Sequence, residues 1–501
     1  MKHHQTLILR AAVGAATFLA ATAGVADEPS ALPERTARRS VPTVPDETSA
    51  LQRIVFTEDT GVFRNPGQGW TAERWAFQRS DPLVNIGALY GRFDWGSLEP
   101  EEGVYNWSKI DALIDLAVSQ GIPASFRIMC VSDCSRTGWS TPKWVFDKGA
   151  KDEPFLSYVD IDGKRTAVLQ HTPLFDDPVF MAEHRRFLGA LAARYDGDPR
   201  LAGLDIGSYG HWGEWHCHGL PPSTNRFDSS GARVPGPWVP PRVYPIEIRR
   251  QYADWYLENF RKTPLVFMTD DWEIFQYALG EGDVPRVGIR RDGVGSPHHF
   301  TRWIGTKPYD AIPRMGDVWR DRPVWFEFYC PARQFKTKGW SIEQSVEWML
   351  TNHVSTVNTT PFSPWEIGDD PETFALLRKI DLYAGARLVP REAEVRRERR
   401  MVAVRLAGEN IGVARIHLPY ALQVVVADSD GRELFVHESS ADPGTWLPGP
   451  FTVEERFPLP DGVDADGARL SLRLRHRGGV FRDFRFAAKE TAEDGSLPLL
   501  P

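Results

Sequence analysis

From about Ile54 onward, short apolar runs alternate with amphipathic stretches, and this alternation restricts the fold more than any other feature of the chain. Repeated strand and helix units read as crossovers on a parallel sheet, since parallel strands cannot be joined by a tight turn. About eight units can be counted. The strand candidates are GVFRNPGQGW near Val62, IGALYGRFDW ending at Asp94, IPASFRIMCV ending near Val131, LAGLDIGSYG ending near Tyr209, PLVFMTD ending at Asp270, RVGIRRD ending at Asp292, PVWFEFY ending at Tyr329 and HVSTVNTT ending at Thr360. Between them lie stretches with apolar residues at i, i+3 and i+4, clearest in WSKIDALIDLAVSQG and MAEHRRFLGALAARY. Ser108 is placed to cap the first of these helices and Gly121 to end it. The expected fold class is α/β, a (β/α)₈ TIM barrel.

The pattern changes beyond Gly385. MVAVRLAGENIGVARIHL, ALQVVVADSDGRELFVHE and ARLSLRLRHRGGVFRDFRFA alternate with period two and are broken by SDG and RGG turn signals, which predicts a small antiparallel β-sandwich over residues 386–489. Residues 490–501 read as a frayed tail. At the other end, Lys2 and Arg10 precede an apolar run closing on small residues near Ala26, the pattern of a cleavable signal peptide over residues 1–26. Residues 27–52 are rich in Pro, Ser, Thr and charge and read as a flexible linker, which leaves 53–385 for the barrel. The expected location is therefore secreted or periplasmic.

Removing residues 1–26 takes away two cations and no acid, so the formal charge moves from −8 to −10. No basic cluster remains to track phosphates, so nucleic acid is not an expected partner, and no apolar stretch has the length of a membrane span. The chain has 18 Trp, more than a core of this size needs, and flat aromatic faces suit the C–H faces of sugar rings. Cys130, Cys134, Cys217 and Cys330 allow three pairings, and a disulfide is the expected use in an exported protein.

In a barrel of this kind, polar residues at the C-terminal ends of strands share one bowl. These are Arg92 and Asp94, Arg127, Glu214, Asp270 and Asp271, Asp292, and Glu327. Tyr209, His211, Trp212, His216, Trp325 and Tyr329 accompany them as further substrate-binding candidates. Cleaving a glycosidic bond takes two carboxyl groups, one protonated and one ionised, and Glu214 and Glu327 are the candidate catalytic pair. The plain alternative for each is a structural carboxylate. No cofactor motif is present. A metal-dependent hydrolase built on His211, His216 and His218 is a competing reading, although HWGEWHCH lacks the helical i, i+4 spacing of a zinc motif, and no metal site is assigned.

RFDWGSLEPEEGVYNWSKIDALIDLAVSQG resembles the second βα unit of the retaining glycosidase clan GH-A, which includes β-galactosidases, β-glucanases and xylanases. NPGQGW, GRFDWGSLEPEEG, DIGSYGHWGEWH and the late β domain together resemble the exported bacterial families DUF4832 and DUF4874. The clan resemblance implies Glu214 as general acid/base, Glu327 as nucleophile, retention of configuration, and a poly- or oligosaccharide substrate. The clan keeps Asn directly before the acid/base, and this chain has Gly213. Contact with the sugar 2-hydroxyl would then fall to Asp205, His211 or His216, or the substrate would be held differently. A glycan-binding barrel without turnover is the alternative of a different class.

Overall fold

The computed structural model describes residues 51–73, 86–222, 239–297, 299, 313–362, 370–398, 400–464 and 467–500. The expected signal peptide and nearly all of the expected linker, most of the loop over 219–245, and His298 lie outside these residues. None of the described helices is long and apolar enough to cross a membrane.

The strands run in chain order as β1 (Gln52–Val55), β2 (Gly69–Glu73), β3 (Ile86–Asp94), β4 (Ala124–Met129), β5 (Asp152–Ile161), β6 (Lys164–Pro173), β7 (Leu201–Asp205), β8 (Leu265–Met268), β9 (Gly288–Val294), β10 (Val324–Phe328) and β11 (Thr356–Asn358). Eight of them, β2, β3, β4, β7, β8, β9, β10 and β11, close into a barrel. Every neighbouring pair is parallel, including β11 against β2, where Val357 stands opposite Trp70. The first barrel strand starts at Gly69, further along than the run near Val62. Helices alternate with the strands and cover the barrel. Alternation along each strand sends Leu89, Phe126, Leu204, Phe267, Ile289, Phe326 and Val357 outward into one apolar layer beneath those helices.

Local signals explain the helix ends. The helix Pro178–Tyr195 begins at Asp177, whose side chain accepts from the Val179 and Phe180 amides at 2.9 and 3.1 Å, with Pro178 in the first turn where its missing N–H costs nothing. Ser108 differs from expectation. It is the first helical residue, and the Asn106 side chain accepts from its amide at 3.2 Å. The long segment between β4 and β7 carries the antiparallel hairpin β5–β6.

The C-terminal part is two four-stranded sheets. The first joins β1, β12 (Leu388–Glu398), β13 (Met401–Asn410) and β16 (Gly449–Pro458); the second joins β14 (Tyr420–Ala427), β15 (Glu433–Glu438), β17 (Arg469–His476) and β18 (Leu497–Leu500). Leu406 and Val453 from the first sheet share a core with Leu422 and Leu472 from the second, as in a sandwich. Two differences from the sequence reading arise at the edges. Gln52–Val55 pairs antiparallel with β12, so the chain begins its described part in the sandwich before entering the barrel. Leu497–Leu500 pairs with β17 and buries Leu497, Leu499 and Leu500, which is why that segment forms an edge strand and does not fray.

All four cysteines are free thiols, against the expected disulfide. Cys130 is buried against His184, Cys134 donates to Asp133 at 3.2 Å, and Cys217 lies 3.8 Å from the Tyr209 hydroxyl, so these three thiols have separate partners. Partial desolvation and the neighbouring Asp133 push the Cys134 thiol up to about 12, which favours the protonated form at neutral pH.

Candidate active site

Inward-facing positions follow the strand period of two: Thr71 and Glu73, Tyr90 and Arg92, Arg127, Asp205, Arg290 and Asp292, Trp325 and Glu327. The deeper members fill the barrel and the outer ones line its mouth. Trp325 belongs to the deep layer, packed with Tyr90 and Val266, and a Cβ on Gly203 would stand 3.2 Å from its ring. Two residues further along β10, Glu327 reaches a cavity of about 800 Å³ at the C-terminal mouth, within the size range of small-molecule sites.

That cavity is lined by Glu214, Glu327, Arg92, Trp212, His216, Asp270, Asp292 and Tyr329 from the expected set, joined by His218, His299 and Cys134. Six expected contacts are elsewhere. Arg127 is fully buried and spends its guanidinium on Asp205 and Glu214. Asp94 sits among the Ser135 and Ser140 hydroxyls outside the cavity lining, and burial raises its carboxyl. Tyr209 is in the aromatic core against Phe175 and Trp215. His211 is buried, stacked on Trp212 with ring centroids 3.7 Å apart. Asp271 caps the helix Trp272–Leu279 and pairs with Arg249. Trp325 lies in the barrel interior, as described.

The loop after β7 is strained. Ser208, Trp212 and Trp215 take φ values of 73°, 53° and 62°, a left-handed backbone that costs a non-glycine residue energy and collects at functional sites. Gly213, between two of them, has φ 71°, and a Cβ there would meet the Ile128 carbonyl oxygen at 2.8 Å. No asparagine fits that position, so the missing Asn follows from the backbone path that delivers Glu214.

Glu214 is nearly buried. Its Oε1 accepts from Arg127 Nη2 at 2.7 Å, Arg290 Nη1 lies 3.8 Å from the same oxygen, and His216 Nε2 is 3.7 Å from Oε2. Burial raises its carboxyl, but Arg127, His216, Arg290 and Arg92 outweigh burial and hold it well below the usual range. A general acid keeps its proton near neutral pH through apolar walls or a neighbouring negative charge. The structure has arginines around Glu214 instead, with Trp215 turned into the core against Phe267. Glu327 pairs with Arg290, and Arg92 pairs with Glu73.

The carboxyls shifted the other way are Asp292 and Asp270. Burial, then Glu214, Asp270 and Glu327, push Asp292 well above the ordinary range; burial also raises Asp270 against the pull of Arg291 and His216. Oδ1 of Asp292 and Oδ2 of Asp270 are buried with no hydrogen-bond partner. Between the ordinary value of about 3.9 and its raised value, Asp292 keeps a proton that the unfolded chain has lost, so its contribution is present below about pH 3.9 and is lost as pH rises. Asp292→Asn is expected to raise Tm by about 2–4 °C at neutral pH, the effect of ~1 kcal/mol in a domain this large, and to leave it unchanged near pH 3.5. Equal thermal scans for the two proteins at neutral pH would contradict this.

Among the described residues, no group of three His, Cys, Asp or Glu side chains is disposed to hold a metal ion. His211 Nδ1 faces the His218 carbonyl at 3.0 Å, which occupies one nitrogen of the competing metal reading.

Arg290, Glu73 and Tyr90 were not singled out by the sequence reading. The available signal was RVGIRRD, two adjacent arginines inside an apolar strand, one of which must point inward.

Comparison with known proteins finds a likeness over part of this architecture. Residues 71–225 match the glycoside hydrolase family 42 model, described as β-galactosidase. The span runs from β2 past β7, so it contains Glu214 and ends before Glu327. The β-galactosidase BgaH of Haloferax lucentense is 26% identical over 153 residues, 30% of this chain and 20% of the relative. A β-galactosidase of Thermus thermophilus is 28% identical over 154 residues, 30% of this chain and 21% of the relative. The chain thus spans about a fifth of the length of these relatives. The solved β-galactosidase from Rahnella sp. R3 overlaps 67% of this chain and 59% of its own, at 15% identity and a TM-score of 0.36. The first half of the barrel, with the strained loop that carries Glu214, is thus similar to the glycoside hydrolase family 42 model and to these β-galactosidases.

Proposed function

We propose that the chain is an exported β-glycosidase that cleaves a β-linked glycan or oligosaccharide with retention, using Glu214 and Glu327. One observation carries the reading: carboxylates from barrel strands four and seven face the same cavity of about 800 Å³, rimmed by Trp212 and Tyr329. The names of the relatives make a β-galactoside the first substrate to test. Glu327, held by Arg290, acts as nucleophile. The proton for the leaving oxygen resides in the group formed by Glu214, Asp270 and Asp292, whose titrations are linked. The signal-peptide pattern read in residues 1–26 is the ground for proposing export.

A glycan-binding protein without turnover is the second reading. It is favoured by the depressed Glu214 carboxyl, since a general acid must hold a proton in order to give it. Aryl β-galactosides, β-glucosides and β-xylosides, followed by proton NMR of the released sugar, separate the two. Release of the β-anomer first is the expected result. Binding of galactosides with no hydrolysis across the panel would instead establish the binding protein.

A further inference from the structure

The ions at the barrel mouth form one connected frame, and its centre is a carboxylate out of reach of any substrate. Asp205 is fully buried at the end of β7. Its Oδ2 accepts from the Tyr90 hydroxyl at 2.7 Å and from Arg127 Nη1 at 3.2 Å, and forms an ion pair with Arg290 Nε at 3.0 Å. The two guanidinium groups turn their other nitrogens to the site. Arg127 Nη2 donates to Glu214, while Arg290 Nη1 lies 3.8 Å from Glu214 and Arg290 Nη2 pairs with Glu327. Arg290 therefore reaches three carboxylates that come from β7, the loop after it, and β10.

Simple charge neutralisation would ask less of this residue. Asp205 and Glu214 already share Arg127, and a point charge near Glu327 would neutralise it as well. A guanidinium differs because its donors are fixed in one plane, so acceptors on its three nitrogens have fixed relative positions. The group is itself held, 5.6 Å from the Tyr90 ring and with Nη1 3.8 Å from Met268 Sδ.

We propose that Arg290, anchored by Asp205, is a positioning residue that sets the separation between the Glu214 and Glu327 carboxyl groups. Its meaning for catalysis rests on the glycosidase reading; its geometric content does not. A retaining pair needs about 5–5.5 Å and an inverting pair about 6.5–9.5 Å, so a displacement of ~1 Å is enough to spoil the reaction.

The test uses the full chain and the Arg290→Lys, Arg290→Gln and Tyr90→Phe variants. Lysine keeps the charge and loses the plane. In crystals of Arg290→Lys the Glu214 and Glu327 carboxyls are expected to shift relative to each other by more than ~0.5 Å. With an aryl β-galactoside, kcat should fall about 10²-fold while KM changes less than about threefold. The groups acting on Glu214 are Arg92 from β3, Arg127 from β4, His216 from its own loop, Asp270 after β8, and Arg290 and Asp292 from β9. Removing one cation from this set in Arg290→Gln raises the Glu214 carboxyl, and a general acid that keeps its proton to higher pH moves the basic limb of the pH–rate profile upward. Tyr90→Phe loosens the Asp205 anchor without removing a charge; it should lower kcat in the same direction by a smaller factor, and it carries the comparison if the arginine variants do not fold. Unmoved carboxyls together with a kcat within about threefold of the parent would overturn the proposal. A parent protein that hydrolyses no glycoside would sink the glycosidase reading, and the crystal comparison would still decide whether Arg290 sets the spacing.

Discussion

Glu327→Gln is expected to lower kcat/KM for an aryl β-galactoside on the order of 10⁴-fold, about 5–6 kcal/mol of barrier at 1.36 kcal/mol per decade. The change is nearly isosteric, and the amide oxygen can still accept from Arg290, so the fold should survive with its Tm almost unchanged. What is lost is the negative charge that must attack the anomeric carbon and form the glycosyl intermediate. Glu214→Gln should behave differently. A leaving group that departs readily needs little protonation, so this variant should keep far more activity on a dinitrophenyl glycoside than on an alkyl glycoside. Glu327→Gln should be equally poor on both. Steady-state rates on the two substrate types check the assignment. A Glu327→Gln protein with more than a tenth of parental activity would remove Glu327 from the mechanism.

The barrel was legible because its signal is repetitive: eight apolar runs, each bounded by an amphipathic stretch, leave little choice of architecture. The mouth was legible in part. Position at a strand's C-terminal end put Arg92, Asp292 and Glu327 at the cavity. It does not tell depth. Trp325 and Glu327 share a face of β10, yet one fills the barrel and the other lines the cavity, because the two-residue step between them crosses from one layer to the next. Arg290 was missed for the same reason, two residues short of Asp292 on β9. Loops are less legible still. Tyr209, His211 and Asp271 follow strand ends as Glu214 and Asp270 do, and the strained turn over Ser208–Trp215 decides which of the first group faces inward. That turn depends on φ values at Ser208, Trp212 and Trp215 that their residue types disfavour, so no local propensity announces it.

Arg127→Met is expected to be the most destabilising single substitution in the site. Arg127 has no exposed side-chain surface, and it holds Asp205 and Glu214, both of them buried. Methionine fills much of the volume and supplies no charge, so two carboxylates must share Arg290 or take up protons. Breaking a buried ion pair from one side costs about 3–5 kcal/mol, which corresponds to a Tm fall of roughly 6–20 °C at 2–4 °C per kcal/mol. The pH dependence follows from Glu214. Its carboxyl lies below the ordinary range in the folded parent, so its stabilising contribution is present above the unfolded value of about 4.3 and is lost as pH falls through the depressed folded value. In the variant this contribution is absent, so the gap in Tm between parent and variant should be widest at neutral pH and should narrow below about pH 4. Thermal unfolding of both proteins across that range measures the gap. A difference independent of pH would mean that Arg127 stabilises by filling space, and that the charge frame around Asp205 is incidental to the fold.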